Sequence, residues 1–251
     1  MADERGLFIY GIVPSDVEPT ADAEGVGDPP GAVTAIRQGP VAALVSEVAL
    51  EAPLGRPADL VAYQQLLDGT AAVAPVLPVR FGTVVTGPDA VADLLDAHGD
   101  RFADALDDLE GQVQYVVHGR YEEAELISAL LAEDAAAADL ADQVRGQPEE
   151  ATREQRIRLG EMISQAVELR REAENRELLD RVGELAVSAV PRPPSSELDA
   201  VNVAFLVDAD QEDEFLDAVE EFAEQRRDLV RTRLLGPLAP YDFVSAHELA
   251  G

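Results

Sequence analysis

The sequence predicts an α+β fold in two domains: an N-terminal α+β domain over residues 1–111 with a mostly antiparallel sheet, and a C-terminal modified ferredoxin-like domain over 112–251 with a long helical segment at about 149–187. Three observations predict it. At 251 residues the chain is near the upper limit for one hydrophobic core, so two domains of roughly 100 to 150 residues fit its size. The strand-like runs 33–38 and 41–48 follow one another with no helix between, which argues against a doubly wound parallel sheet. The second half alternates strand and helix patterns and holds one helical pattern far longer than the others.

Residues 7–13 (LFIYGIV) are a continuous apolar run ending at Pro14 and read as a buried strand; the Pro- and Gly-rich acidic stretch 14–31 reads as a loop. The runs 33–38 and 41–48, split by Gly39-Pro40, pattern as a hairpin whose second strand is the more buried. Leu60, Tyr63, Leu66 and Leu67 fall at helical spacing behind Asp59, whose charge suits a helix N-terminus, so 59–67 reads as a helix covering that sheet. The run 76–85 (VLPVRFGTVV) returns to strand. Pro88 then opens a helix whose stripe of Val91, Leu94, Leu95, His98, Phe102, Leu106 and Leu109 stops at Gly111.

Residues 113–119 begin the second domain as a strand, followed by a helix at about 122–133 with Leu126, Leu130 and Leu131 inward. The stretch 134–148 reads as either helix or linker. From Glu149 to about Val187 the pattern is helical, with four i,i+4 pairs in the favourable acid-first order: Glu149–Arg153, Glu154–Arg158, Glu172–Arg176 and Glu177–Arg181. Leu159, Met162, Ala166, Leu169 and Ala173 share one face of it, whereas Leu178, Leu179, Val182 and Leu185 fall on nearly the opposite one. Either the helix kinks near Asn175, or it runs straight and packs against different bodies at its two ends; the second reading places one end on each domain or on a partner. After the Pro-rich break at 191–194, residues 200–207 read as a strand, 211–231 as a helix, and 232–236 and 241–244 as short extended pieces around Gly236-Pro237. This order is one strand short of a βαββαβ unit, which is why a modified ferredoxin-like architecture is expected.

Composition excludes several function classes. The absence of Cys rules out disulfides, thiolate metal sites and a cysteine nucleophile, leaving His98, His118 and His247 as imidazole ligands or bases. The opening residues lack the basic and apolar regions of a secretion signal, and no apolar run approaches the roughly 18 residues of a membrane span, so a cytoplasmic protein is expected. Fifty acids against 19 basic residues, all of them Arg, give a net charge of −31. Nucleic acid and anionic membrane are therefore not expected partners, since each requires a concentrated positive face. The acidity fits a salt-rich cytosol in which charge repulsion is screened, or a high-GC genome that replaces Lys by Arg.

A catalytic constellation is not found, and neither a cofactor nor a small-molecule substrate is expected. Walker, nucleophile-elbow, HExxH and dinucleotide motifs are absent, and the Gly25-Val26-Gly27 segment lacks the strand, third Gly and helix of a phosphate loop. The acidic run Asp208–Glu214 lacks the central Gly of a calcium loop and has Val219 where the bidentate Glu would stand; a helix cap from Asp208 or Asp210 explains it better. The three His lie in different elements: His98 is read as packing with Leu95 and Phe102, and neither His118 nor His247 has an identifiable acid and nucleophile nearby. Without Lys, Schiff-base chemistry is closed as well. Arg80, between Val79 and Phe81 in an apolar run, reads either as an anion or partner contact or as a strand-end Arg paired to a carboxylate.

Three segments taken together resemble the gas vesicle accessory family GvpF/GvpL: LFIYGIV at 7–13, VLPVRFGTVV at 76–85, and FLVDADQEDEFLDAVEEFA leading to LLGPLAPYDFV at 205–244. The motif residues are Tyr10, Gly11, Pro78, Arg80, Phe81, Gly82 and Thr83, then Gly236, Pro237, Pro240, Tyr241 and Phe243. The chain departs from the family pattern at Ala62-Tyr63-Gln64, where many relatives carry a His, and at Leu238, where an aromatic is common. The resemblance implies a two-domain α+β protein without enzyme activity. It would bind the small apolar shell protein GvpA and other accessory Gvp proteins during vesicle assembly, as a chaperone or minor wall component, in the cytoplasm and on the vesicle. Partner contacts are expected around Arg80, Phe81, Tyr241 and Phe243. An alternative is a scaffold that links other accessory Gvp proteins without touching the shell, which suits the change of helix face near Asn175.

Overall fold

A computed structural model describes residues 5–20, 23–51 and 54–244. The chain separates into two compact units, one formed by residues up to Tyr115 together with those from Gly236 onward, the other by Val116–Leu235. This division differs from a boundary at Gly111. The C-terminal segment counts with the first unit because the backbone N–H of Ala239 and the hydroxyl of Tyr241 both bond to Asp68 there.

In the first unit the apolar run becomes β1 (Arg5–Pro14), the middle of a sheet ordered β2-β3-β1-β4, with β2 at Thr34–Gln38, β3 at Val41–Ala49 and β4 at Leu77–Pro78. A further short strand, β5 (Val84–Val85), also pairs with β1. All the pairings are antiparallel, and β3 is more buried than β2, as its longer β-branched and aliphatic run requires. The β1–β3 register slips between Ile9 and Gly11, making Tyr10 the extra residue of a bulge. Helix α1 (Pro57–Ala71) packs on β1 through Tyr63 and Leu67, and α2 (Pro88–Asp108) buries Val91, Leu95, Phe102 and Leu106.

The single strand expected at 76–85 is broken. Thr83 N–H donates to the Arg80 carbonyl at 3.1 Å and Gly82 sits at φ +89°, so Arg80–Thr83 is a tight turn between β4 and β5. A positive φ at the third turn position is cheap only for glycine.

The second unit, with the first residues of its first strand and the last of its final strand counted in the first unit, runs in the order β6 (Gln112–Tyr121), α3 (Glu123–Glu133), α4 (Ala135–Val144), α5 (Arg153–Val182), β7 (Ser188–Pro191), β8 (Asp199–Asp208), α6 (Glu212–Arg226) and β9 (Val230–Leu238). The strands form a sheet ordered β7-β8-β6-β9. One detail settles an alternative left open by the sequence and two correct its reading. The open stretch 134–148 contains α4, whose N-terminus is capped by Asp134 accepting from Ala136 N and Ala137 N. The strand that seemed missing is β7, four residues at the Pro-rich break that pair antiparallel with β8 from Ser188↔Leu206 to Pro191↔Val203. The last helix ends at Arg226, because Val230 is drawn into the core with Tyr121, Leu126 and Leu130; residues 241–244 form a turn rather than a strand.

Helix α5 does not change face at Asn175. Its inward stripe runs on through Leu159, Ile163, Ala166, Val167, Arg170, Arg171, Glu174 and Leu178 to Val182, and the whole helix belongs to one unit. Polar groups stand in the stripe where an apolar residue was sought. Arg171 donates from Nε to the Asp199 carbonyl at 2.8 Å, and Asn175 donates to the Arg171 and Ala200 carbonyls. Leu169, placed inward by its hydrophobicity, is exposed. Of the four anticipated i,i+4 pairs, Glu177–Arg181 alone forms an ion pair among the described residues.

Candidate partner-binding site

The motif residues converge on the core of the first unit. Phe8 and Tyr10 from β1, Tyr63 from α1, Phe81 from the turn and Tyr241 from the C-terminal segment form one aromatic cluster. Ring centroids are 4.8 Å apart for Phe8–Tyr10, 5.4 Å for Phe8–Phe81, 5.3 Å for Tyr63–Phe81 and 6.3 Å for Tyr63–Tyr241. The Phe81 contacts are edge-to-face, an arrangement in which the positive ring edge meets the negative face.

Each polar tip in the cluster is satisfied. Tyr10 Oη accepts from Val26 N at 2.7 Å and shares a hydrogen bond of 2.7 Å with Ser46 Oγ, while Tyr63 Oη donates to the Val79 carbonyl at 2.6 Å. Burial raises the Tyr10 phenol and pushes Tyr63 up to about 12. Gly11 lets α1 approach, since a Cβ there would lie 2.9 Å from Val76 Cγ2 and 3.0 Å from Leu67 Cδ2.

Asp68 on α1 holds the C-terminal segment: its Oδ1 accepts from Ala239 N at 2.9 Å and from Tyr241 Oη at 3.0 Å. Burial and this neighbouring carboxylate raise the Tyr241 phenol further still. Buried Gln114 adds a second clamp, donating to Asp242 Oδ2 at 2.7 Å and accepting from Asp242 N at 2.9 Å. Asp68 and Gln114 escape a sequence search because single polar residues amid apolar neighbours read as surface positions.

The four residues expected to meet partners are thus divided. Phe81 and Tyr241 are half-buried braces of the aromatic cluster. Phe243 lines a separate recess of about 280 Å³ with Leu77, Phe102 and Leu109. Arg80 is exposed on the turn, and its guanidinium makes no ion pair among the described residues.

One acidic arrangement was missed. His118 Nε2 lies 3.2 Å from Asp199 Oδ1, though not aligned for a hydrogen bond, and Asp199 accepts from the backbone and hydroxyls of Ser195 and Ser196. Burial alone would raise the Asp199 carboxyl, but those four donors hold it well below the usual range. The serine hydroxyls donate to the carboxylate and not to the imidazole, so no nucleophile-to-base contact exists and the group locks the turn into β8. His98 packs on Phe102 at 5.8 Å between centroids, and His247 lies outside the described residues. The start of α6 carries no side-chain cap, so Asp208 and Asp210 do not fill the role expected of them. Among the described residues no cluster of metal-binding side chains occurs and no helix is long and apolar enough to cross a membrane.

Comparison with known proteins covers the same residues. The family model described as gas vesicle synthesis protein GvpL/GvpF matches residues 6–245. Gas vesicle protein F of Streptomyces sp. (strain CB03234) is 33% identical over 94% of this chain and 98% of its own length; gas vesicle protein L of the same strain is 28% identical over 99% and 96%. Crystal structures of GvpF from Anabaena sp. PCC7120 and Microcystis aeruginosa share the fold, with TM-scores of 0.77 and 0.74 at 24% identity over 96% of this chain and 98% and 99% of theirs. Matched along nearly its whole length, the chain belongs to the GvpL/GvpF family of gas vesicle synthesis proteins.

Proposed function

We propose that this chain is a non-enzymatic assembly protein of the gas vesicle, which binds the apolar shell protein GvpA and other accessory Gvp proteins as a chaperone or minor wall component. The observation that carries this reading is the family match over residues 6–245. Physical chemistry supports it: a shell subunit that associates through apolar β surface aggregates unless it is held in solution, and a binder with net charge −31 resists joining the aggregate. The protein would act in the cytoplasm and then at the vesicle. Exposed Arg80 and the recess beside Phe243 are the contact points we propose from the original four residues, with Phe81 and Tyr241 holding their backbone in place. The change of helix face that suited the scaffold reading is not made by α5, so no observation favours that reading over the first. We also propose that the second unit is a modified ferredoxin-like domain with α4 and α5 inserted, which the element order and the strand order β7-β8-β6-β9 support.

The test is co-purification of tagged protein with GvpA. Retention above that of an unrelated protein of equal acidity is expected; retention equal to that control overturns the reading.

A further inference from the structure

Helix α1 presents a solvent face without a single charge. Its exposed positions and those just after it are Pro57, Ala58, Leu60, Val61, Gln64, Gln65, Gly69, Ala72 and Val73. Both of its acids are consumed: Asp59 is buried under the helix N-terminus, and Asp68 clamps Ala239 and Tyr241. In a chain with 27% charged residues, a helix of 15 residues would normally place several ions in water. Instead Leu60, Val61 and Val73 are 44%, 49% and 83% exposed.

Beside this face runs a groove of about 680 Å³ between α1 and the segment before β2, with Val17, Leu44, Val61, Leu66 and Val73 among its apolar walls. Ala58, Ala62 and Gly69 on the α1 side keep the floor low enough for another backbone to come close. The charged groups on the lining are all acidic: Asp59, which is fully engaged, Glu18, which pairs with Arg37 at 2.6 Å, and exposed Glu24 at the rim, which makes no ion pair among the described residues.

From this geometry we infer that the groove along α1 receives an amphipathic helix of a partner protein, with its apolar face in the groove and an Arg or Lys on its flank against Glu24. Charge complementarity selects that occupant. A second copy of this chain would bring its own neutral α1 face but would set one acidic rim against another. The inference rests on the reading of the chain as an assembly partner, and it names the surface and the kind of segment bound.

The test uses the full chain and a labelled synthetic peptide of roughly 18 residues, about five helical turns, with a Leu/Ala face and an Arg flank. A second peptide carries Glu in place of Arg. The double variant V61R/G69R blocks the groove and sets two positive charges in it. It should keep its fold, because Val61 faces solvent and a Cβ at Gly69 meets nothing within 4 Å. Circular dichroism and thermal unfolding check that, with E24Q as a milder variant that leaves the helix untouched.

The Arg peptide should bind the parent protein and lose about tenfold or more in affinity for V61R/G69R, with a smaller loss for E24Q and no measurable binding of the Glu peptide. Equal affinity for parent and double variant, or equal binding of the two peptides, overturns the proposal. A concentration-dependent dimer abolished by V61R/G69R also overturns it, assigning the groove to a second copy. GvpA co-purification run in parallel separates the two readings. Equal peptide affinity for parent and V61R/G69R beside GvpA retention removes the groove and leaves the assembly function standing; groove-dependent peptide binding without GvpA retention does the reverse.

Discussion

Asp59 shows how much one side chain can hold. Its Oδ2 accepts from Gly55 N, Arg56 N and Arg56 Nε, and its Oδ1 from Arg56 Nη2 and Gly27 N, so a single carboxylate caps α1 and ties down the loop ahead of β2. Chiefly through Arg56, the carboxyl is lowered from 3.8 to about 2. A depressed acid stabilises the fold fully above its unfolded pKa, and that contribution is lost as pH falls through the folded value. The thermal midpoint of the parent should therefore drop between about pH 4 and pH 2. Asp59→Asn should cost about 2 kcal/mol at neutral pH and flatten that acid limb, as read by calorimetry across the pH series. Tyr10→Phe tests the bulge in the same way. It strips the acceptor from Val26 N and the partner from Ser46, and should lower the urea midpoint by an amount worth about 1–3 kcal/mol with no change in slope.

Elements depend on contacts between them that a one-dimensional pattern does not display. Arg226, late in α6, donates to Glu174 at 2.6 Å and pairs with Glu177, both on α5, while its guanidinium carbon lies 3.9 Å over the Phe222 ring. Its neighbour Arg227 pairs with Glu224 of its own helix in open solvent. Arg226→Ala should cost about 2–3 kcal/mol and Arg227→Ala less than about 0.5 kcal/mol, a contrast that denaturant titration of the two variants measures. From sequence these two Arg are indistinguishable, since both fall late in the same helical pattern. The same limit explains α5: Arg171 and Asn175 bond to backbone across from them, so a search for apolar period reports a break where the stripe is continuous. What periodicity does capture is β1, β3, β8 and the helices α1 to α3, whose burial comes from runs of large apolar residues. It loses β7, too short to carry a period, and the turn at Arg80–Thr83, where the apolar run continues through a reversal set by Gly82. The candidate site was half legible for a related reason. The motif residues do come together in the first unit, but aromatic residues look the same on paper whether they meet a partner or each other, and here Phe81 and Tyr241 meet Tyr63.

For the whole molecule, the question is whether a net charge of −31 strains the folded state. Two effects of salt oppose each other. Screening weakens the ion pairs, yet most of those described are exposed, such as Arg5–Glu47 and Arg145–Asp142, and such pairs contribute about 0–1 kcal/mol each. Screening also weakens repulsion among the acids, which number 50 against 19 Arg, so that most of them have no cation to pair with. Moving from about 0.1 M to about 1 M salt shortens the Debye length from about 10 Å to about 3 Å, below the usual spacing of surface charges, so repulsion loses more than pairing does. Thermal unfolding should accordingly shift upward by about 4–8 °C between those KCl concentrations, close to 2 kcal/mol for a chain of this size. NaCl should act equally, since screening depends on ionic strength and not on the cation. A midpoint indifferent to both salts would mean that the acids are far enough apart to tolerate one another in dilute buffer. The lack of Lys would then be a matter of codon composition, and adaptation to a salt-rich cytosol would lose its physical basis.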